Sequence, residues 1–223
     1  MKKNIKNSKC VIVFSGGQDS TTCLFWAKKK FEYVEAVFFD YGQTHRIEMK
    51  SAKKISKLAG VKLTVLKINT FSQIGGSSLT DKKIRNPEGE AEGVPVSFVP
   101  GRNLIFLTFA AAFAYTKNII NIVTGVCQTD YSNYPDCRDI TVKSLEKTLY
   151  LGMGKKFKIF APLMYMTKAE SVKFAVKYGA LEAMRYSHTC YNGKRPPCGK
   201  CPACILRAKG FQQAGVKDPV LNN

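Results

Sequence analysis

Residues 15–20 read Ser-Gly-Gly-Gln-Asp-Ser and directly follow a short apolar run. Two glycines allow a tight turn that aims successive backbone N–H groups at one point. A helix opening there adds the positive end of its dipole. Ser15 and Ser20 can donate hydroxyls. The chemistry this suits is the binding of a phosphate chain. Asp19 does not favour a bare phosphate, so it reads as a residue that holds Mg2+ or orients the loop. The pattern GxxxxGK[ST] is absent, which excludes a Walker A loop. A plain strand-to-helix turn with a serine cap is the bland alternative; position, glycines and flanking pattern together favour the cradle.

The second place where residue type and spacing could do chemistry is late in the chain. Cys190, Cys198, Cys201 and Cys204 lie on short loops, with Gly199 and Pro202 as turn formers. Four thiolates so spaced can close a tetrahedral shell around a metal. Zinc is favoured, with an iron–sulfur cluster as the alternative. His188 is near enough to compete as a ligand, but beside a complete cysteine set it reads as a supporting residue. The other four cysteines, Cys10, Cys23, Cys127 and Cys137, are scattered.

Positioning these groups requires a scaffold, and the pattern predicts one. Short β-rich runs at about 10–14, 34–39, 63–68, 119–124 and 158–161 alternate with helical patterns at about 20–30, 47–58, 104–115, 140–151 and 167–178. Thr167-Lys168-Ala169-Glu170 has the form of a capping box, and Gly179 is a left-handed stop. The 104–115 helix is so apolar that it must be largely buried. Such alternation predicts an α/β fold: a doubly wound, mostly parallel five-stranded sheet covered on both faces. Ligands bind beyond the carboxyl ends of such strands, so the loops after Phe14, Phe39, Thr124 and Ala161 should carry the site. Between 69 and 100 the pattern breaks at Gly75-Gly76-Ser77-Ser78 and Pro87-Glu88-Gly89-Glu90, a long loop or insertion. We expect residues 1–184 to form the nucleotide-binding α/β domain and 185–223 the cysteine-bearing segment.

The chain has 223 residues and a net charge of +19. Of its 35 basic residues seven are arginines, leaving 28 lysines, many on ordinary helix surfaces. Arginine is the usual base reader, so this balance favours a solvated lysine surface over a nucleic-acid face. No apolar run approaches the ~20 residues of a membrane span. The apolar run 11–14 is too short for a signal-peptide core, so a cytoplasmic protein is expected.

The hexapeptide resembles the pyrophosphate loop of the PP-loop ATP pyrophosphatase superfamily, whose members activate a substrate oxygen by transferring AMP from ATP. Asp40-Tyr41-Gly42-Gln43, Val99-Pro100-Gly101-Arg102-Asn103, the run 124–139, Pro162-Leu163-Met164 and Cys190-Tyr191-Asn192-Gly193 extend the resemblance from about residue 10 to about 210. Taken together, they resemble the 7-cyano-7-deazaguanine synthase family. That resemblance implies an adenine-nucleotide α-hydrolase-like fold and a cytoplasmic ATP-dependent carbon–nitrogen ligase. The reaction it implies turns 7-carboxy-7-deazaguanine and ammonia into the nitrile 7-cyano-7-deazaguanine, on the route to queuosine, through an adenylated acid and an amide. ATP, Mg2+ and Zn2+ are the implied cofactors, with zinc on Cys190, Cys198, Cys201 and Cys204. Nucleotide contacts map onto Phe14, Ser15, Gly16, Gly17, Gln18, Asp19, Ser20, Thr21, Thr22, Cys23 and Leu24. A homodimer is common in the family; neither a membrane nor a nucleic-acid partner is implied. The chain has no room for a glutaminase domain, so ammonia would be taken free or delivered by another protein.

Within that reaction, Asp19 would assist Mg2+, Lys168 would neutralise phosphate or developing charge, and Arg102 would meet an anion. The loop after the fourth strand would read the base. A guanine-like edge offers N–H donors and wants a carboxylate, Asp130 or Asp136. The substrate carboxylate wants a cation, Arg138, and Tyr131 or Tyr134 would stack on the ring. Two alternatives belong to other classes: a PP-loop tRNA-thiolating enzyme with an iron–sulfur cluster, and a zinc-ribbon binding module that would leave the phosphate loop unexplained.

Overall fold

A computed structural model describes residues 8–89, 93–129 and 134–222. Five strands, β1 (Lys9–Val13), β2 (Tyr33–Asp40), β3 (Lys62–Lys67), β4 (Asn121–Val123) and β5 (Lys158–Phe160), form one sheet in the order β3-β2-β1-β4-β5. Every pairing is parallel. The doubly wound sheet is thus the one the alternation predicts. From β1 the chain winds outward to β3, then returns to the other side of β1 at β4. That reversal opens a crevice beyond the carboxyl ends of β1 and β4.

The helices are α1 (Gln18–Lys30), α2 (Ile47–Ala59), α3 (Thr70–Ile74), α4 (Arg102–Thr116), α5 (Asp139–Met153), α6 (Lys168–Lys177), α7 (Leu181–Met184) and α8 (Pro202–Ala214). Side chains of β1 alternate between the two faces, as period-two geometry requires. Cys10 and Ile12 pack with Cys23, Leu24 and Ala27 of α1 and Ala52 and Ile55 of α2. Val11 packs instead with Leu107, Ala110, Ala111 and Ala114 of α4. The small alanines bring α4 close to the sheet.

Boundaries differ from the sequence pattern in ways that have causes. Helix α1 begins at Gln18, because extended Gly17 is its N-cap and no side chain caps it. Ser20 therefore sits in the first turn and returns its hydroxyl to the Gly17 carbonyl at 3.2 Å. The described part of the stretch 69–100 contains the short α3 and is otherwise without regular structure, tied down where the Ser78 N–H donates to Val96 O at 2.9 Å. The capping box forms: Thr167 accepts from the Glu170 N–H, and the Glu170 carboxylate accepts from the Thr167 N–H. Past residue 184 the chain packs back on the preceding segment, α8 against α6. No helix among the described residues is long and apolar enough to cross a membrane.

Candidate active site

The turn after β1 is held open by two serines. Ser15 and Ser20 hydroxyls lie 3.1 Å apart, and the Gly17 N–H donates to Ser15 Oγ at 3.2 Å. Gly16 has φ +77°, and a Cβ there would stand 2.6 Å from Ala52 N of α2. Only glycine fits. On the other flank the His188 N–H donates to Gly16 O at 3.0 Å. Across the sheet's reversal, a Cβ on Gly125 would stand 3.0 Å from Ser20 N, so the chain leaving β4 runs close beneath the start of α1. The result is a cradle at a helix N-terminus that no side chain caps.

Polar atoms at this cradle lack partners. Both side-chain amide atoms of Gln18, Asp19 Oδ1 and Thr21 Oγ1 are buried without a hydrogen bond among the described residues. Buried polar atoms are normally satisfied, so such a cluster marks a ligand site. Asp19 Oδ2 accepts from Lys168 Nζ at 2.8 Å, with the lysine side chain only 11% exposed. Lys168 is therefore not a solvated helix lysine. Its stem is pressed by α8: a Cβ on Gly210 would stand 2.5 Å from Lys168 Cγ.

Of the eleven expected nucleotide residues, Phe14, Ser15, Gly17, Gln18, Asp19 and Ser20 line the cavity. Gly16 underlies it. Thr21 is fully buried, Cys23 and Leu24 face the core, and Thr22 gives its hydroxyl to Gln18 O at 3.0 Å.

The same cavity is walled by Phe39, Tyr41, Phe106, Tyr134 and Tyr191, and Arg102 enters it from the start of α4. The Arg102 guanidinium donates to Tyr41 Oη at 3.3 Å and lies 5.7 and 5.9 Å from the Tyr41 and Tyr134 ring centres. Glu48, in the first turn of α2, also lines the cavity. Burial pushes its carboxyl up to about 7 against the pull of Arg102. Burial likewise pushes the Tyr41 phenol up to about 12. Tyr134 Oη lies 2.8 Å from Ser97 Oγ, so the insertion holds that ring in place.

The loop after β4 is only partly as expected. Tyr134 faces the cavity, as a stacking residue would. Asp130 and Tyr131 lie outside the described residues. Asp136 is 3% exposed, and its two oxygens accept from the Asn103 N–H and Nδ2 at 2.9 Å each. Its carboxylate braces the start of α4 instead of reaching the cavity. Arg138 lies beside Gln128, Asp139 and Tyr165, in a second depression that shares Cys127 and Tyr134 with the cavity. Among the described residues the cations lining the cavity are Arg102 and, on the phosphate side, Lys168.

Sequence reasoning missed Glu48, Thr189 and Tyr191 as cavity residues. The first belongs to an ordinary amphipathic helix pattern, and the others were overshadowed by the neighbouring cysteines.

The four thiolates converge as their spacing predicts. Sγ atoms of Cys190, Cys198, Cys201 and Cys204 all lie within 4.8 Å of one another, and the Cys198–Cys204 pair is at 3.9 Å. A tetrahedral metal with bonds of ~2.3 Å needs sulfurs ~3.8 Å apart, so the donor set fits zinc. Cys201 is the N-cap of α8, with Pro202 as the first helical residue. The Cys201 N–H and Asn192 Nδ2 donate to Cys198 Sγ at 3.4 and 3.5 Å, which favours thiolate. His188 stays outside the set, its Nε2 2.9 Å from Cys190 O. Buried Arg207 of α8 completes the frame, bonding Asp218 through two nitrogens and the hydroxyls of Ser187 and Thr189 at 2.8 and 2.9 Å.

Comparison with known proteins follows this geometry. Residues 9–215 match the family described as queuosine biosynthesis protein QueC. A 7-cyano-7-deazaguanine synthase of Chromobacterium violaceum is 58% identical over 219 residues, 96% of this chain and 94% of that one. One from Laribacter hongkongensis is 54% identical over 214 residues, covering 95% and 93%. Among solved structures, a 4-thiouridine synthetase in an RNA complex with bound ATP is similar in fold, with TM-score 0.53 and 19% identity over 96% of this chain and 52% of that one.

Proposed function

The chain belongs to the QueC family of queuosine biosynthesis, the 7-cyano-7-deazaguanine synthases, and on that premise we propose how its cavity carries out an ATP-dependent nitrile synthesis. The observation that carries the proposal is one cavity holding both the phosphate cradle with its unpartnered polar atoms and an arginine boxed by aromatic rings. The first suits ATP. The second suits a flat bicyclic base bearing a carboxylate, 7-carboxy-7-deazaguanine.

A carboxylate is a poor electrophile, and transfer of AMP onto one of its oxygens makes that oxygen a leaving group. Backbone N–H groups of Ser15 to Asp19 hold the phosphates. Lys168, fixed against Asp19, offsets the charge that develops as pyrophosphate departs. Arg102 holds the acid with its carbonyl carbon toward the cradle, and Tyr134 lies along the ring. Asp19, through its unpartnered Oδ1, would hold Mg2+, which when bound would neutralise phosphate charge. Ammonia displaces AMP to give the amide; a second adenylation at the amide oxygen, followed by loss of AMP, gives the nitrile. The protein's share is chiefly orientation and charge stabilisation. Zn2+ on the four cysteines of the segment 185–223 would be structural, fixing the start of α8 to the loop that carries Cys190 and Cys198. We place the protein in the cytoplasm, acting on small molecules without a nucleic-acid partner, in a form compatible with a homodimer.

Mass spectrometry of the protein with 7-carboxy-7-deazaguanine, ammonium and ATP tests this. Formation of the nitrile with release of AMP is expected. An unchanged acid, or phosphate release without AMP, would contradict it.

A further inference from the structure

Among the described residues two carboxylates line the cavity, Asp19 and Glu48. Asp19 is engaged by Lys168. Glu48 has no part in the scheme above, yet its placement is specific. Its backbone carbonyl would stand 3.1 Å from a Cβ on Gly16, so the residue abuts the phosphate cradle. Its carboxyl feels the charge of Arg102 and acts on the phenol of Tyr41, and all three residues line the one cavity. With Arg102 holding the substrate carboxylate as proposed above, the acyl carbon lies within the cavity that Glu48 also lines.

The chemistry leaves one task unassigned. At neutral pH the nitrogen source is mostly ammonium, which carries no lone pair and cannot attack. Something must bind that cation next to the acyl carbon and take its proton. We propose that Glu48 is the catalytic residue that receives ammonium and accepts its proton, an assignment that rests on the function proposed above. The carboxylate takes one proton to give the carboxylic acid and neutral ammonia. The nitrogen lone pair forms the C–N bond to the adenylated acyl carbon, and the C–O bond to AMP breaks, its electron pair leaving with AMP. The nitrogen, now cationic, loses a second proton to water, leaving the neutral amide.

The groups that face Glu48 agree with this. Arg102 of α4 and Tyr41, just past β2, are the groups whose charges couple to it, and among the described residues Glu48 is the one carboxylate of the cavity outside the Asp19–Lys168 pair. Burial holds the carboxyl at about 7, near the pH at which it must work, where a base is most effective. His188, the imidazole at the cavity, is engaged through Nε2 with Cys190 O at 2.9 Å.

Hydroxylamine separates this role from others, because it is uncharged at neutral pH and needs no deprotonation before attack. In the full chain, Glu48→Gln should lose about 10²-fold or more of the ammonium-supported rate while the hydroxylamine-supported rate, read as hydroxamate, changes little. Acid-dependent ATP–pyrophosphate exchange, measured without any nucleophile, should persist in the variant. Glu48→Asp, which keeps the charge, should show a smaller loss confined to ammonium. Equal losses with both nucleophiles in both variants, or loss of exchange in both, would overturn the assignment by placing Glu48 in substrate binding or activation. Absence of exchange in the parent protein would overturn the adenylation scheme itself, and with it this step.

Discussion

Asp19 and Lys168 are separated by 149 positions, yet one charge-assisted hydrogen bond of 2.8 Å joins them at the edge of the phosphate cradle. Each depends on the other for orientation. Asp19→Ala should therefore remove ATP-dependent turnover by about 10²-fold or more, as losing a charge-stabilising group does, with a small change in melting temperature. Full activity in that variant would take Asp19 out of the mechanism. Glu48 carries a different prediction, on stability. Its folded-state value of about 7 lies above the ordinary 4.5, so between those values the folded protein holds more protons than the unfolded chain. Stability from this group falls as pH rises through that window, and the charged form costs most above it. Glu48→Gln should thus be more stable than the parent at about pH 8, by at most about 3 kcal/mol, and little different at about pH 5. Denaturant unfolding at the two values reads this; a variant less stable at the higher pH would contradict it. Asp19 was legible from its neighbours, two glycines and two serines at a strand end. The partners of Asp136 were not legible, because a carboxylate in a polar loop looks the same in sequence whether it meets a ligand or, as here, the N–H groups of Asn103.

At the scale of elements, the alternation of strand and helix was enough to predict the parallel sheet, since each run's period and its glycine stops are local properties. The side-by-side order was not, because β4 and β5 are three residues each and say little on their own. Nor did any local signal reveal how α8 meets α6. That contact turns on Gly210, a glycine inside a helix, where alanine would ordinarily gain about 1 kcal/mol. Here a Cβ would press on the Lys168 stem at 2.5 Å, and overpacking of that kind costs about 1–3 kcal/mol. The steric cost exceeds the propensity gain. Gly210→Ala should lower the melting temperature slightly and lower kcat about tenfold through the displaced Lys168, which is the scale of a small misplacement. A variant with a raised melting temperature and full kcat would contradict the close approach. Gly16 tells the same story at the cradle, where α2 leaves no room for a side chain.

Across the whole molecule, the cysteine segment and the cavity are one construction: His188 holds Gly16, Tyr191 walls the cavity, and α8 carries both Cys201 and Cys204 at one end and Gly210 further along. The purified protein should contain about one zinc per chain without iron or sulfide, and Cys201→Ser should lower the melting temperature by several degrees, since structural zinc contributes folding energy. Iron with sulfide in elemental analysis would revive the thiolating alternative. The cysteine spacing made this cluster legible; its coupling to the phosphate loop was not, because that link is a backbone hydrogen bond between residues of unremarkable type. The central claim is that one cavity activates oxygen twice, which requires an amide between the two events. Supplied directly, 7-amido-7-deazaguanine should be converted to the nitrile with ATP and without ammonia. Nucleotide analysis should find about one AMP released per nitrile from the amide and about two from the acid, as one leaving group per activation dictates. An amide that is neither formed from the acid nor consumed in the presence of ATP would contradict the two-step scheme.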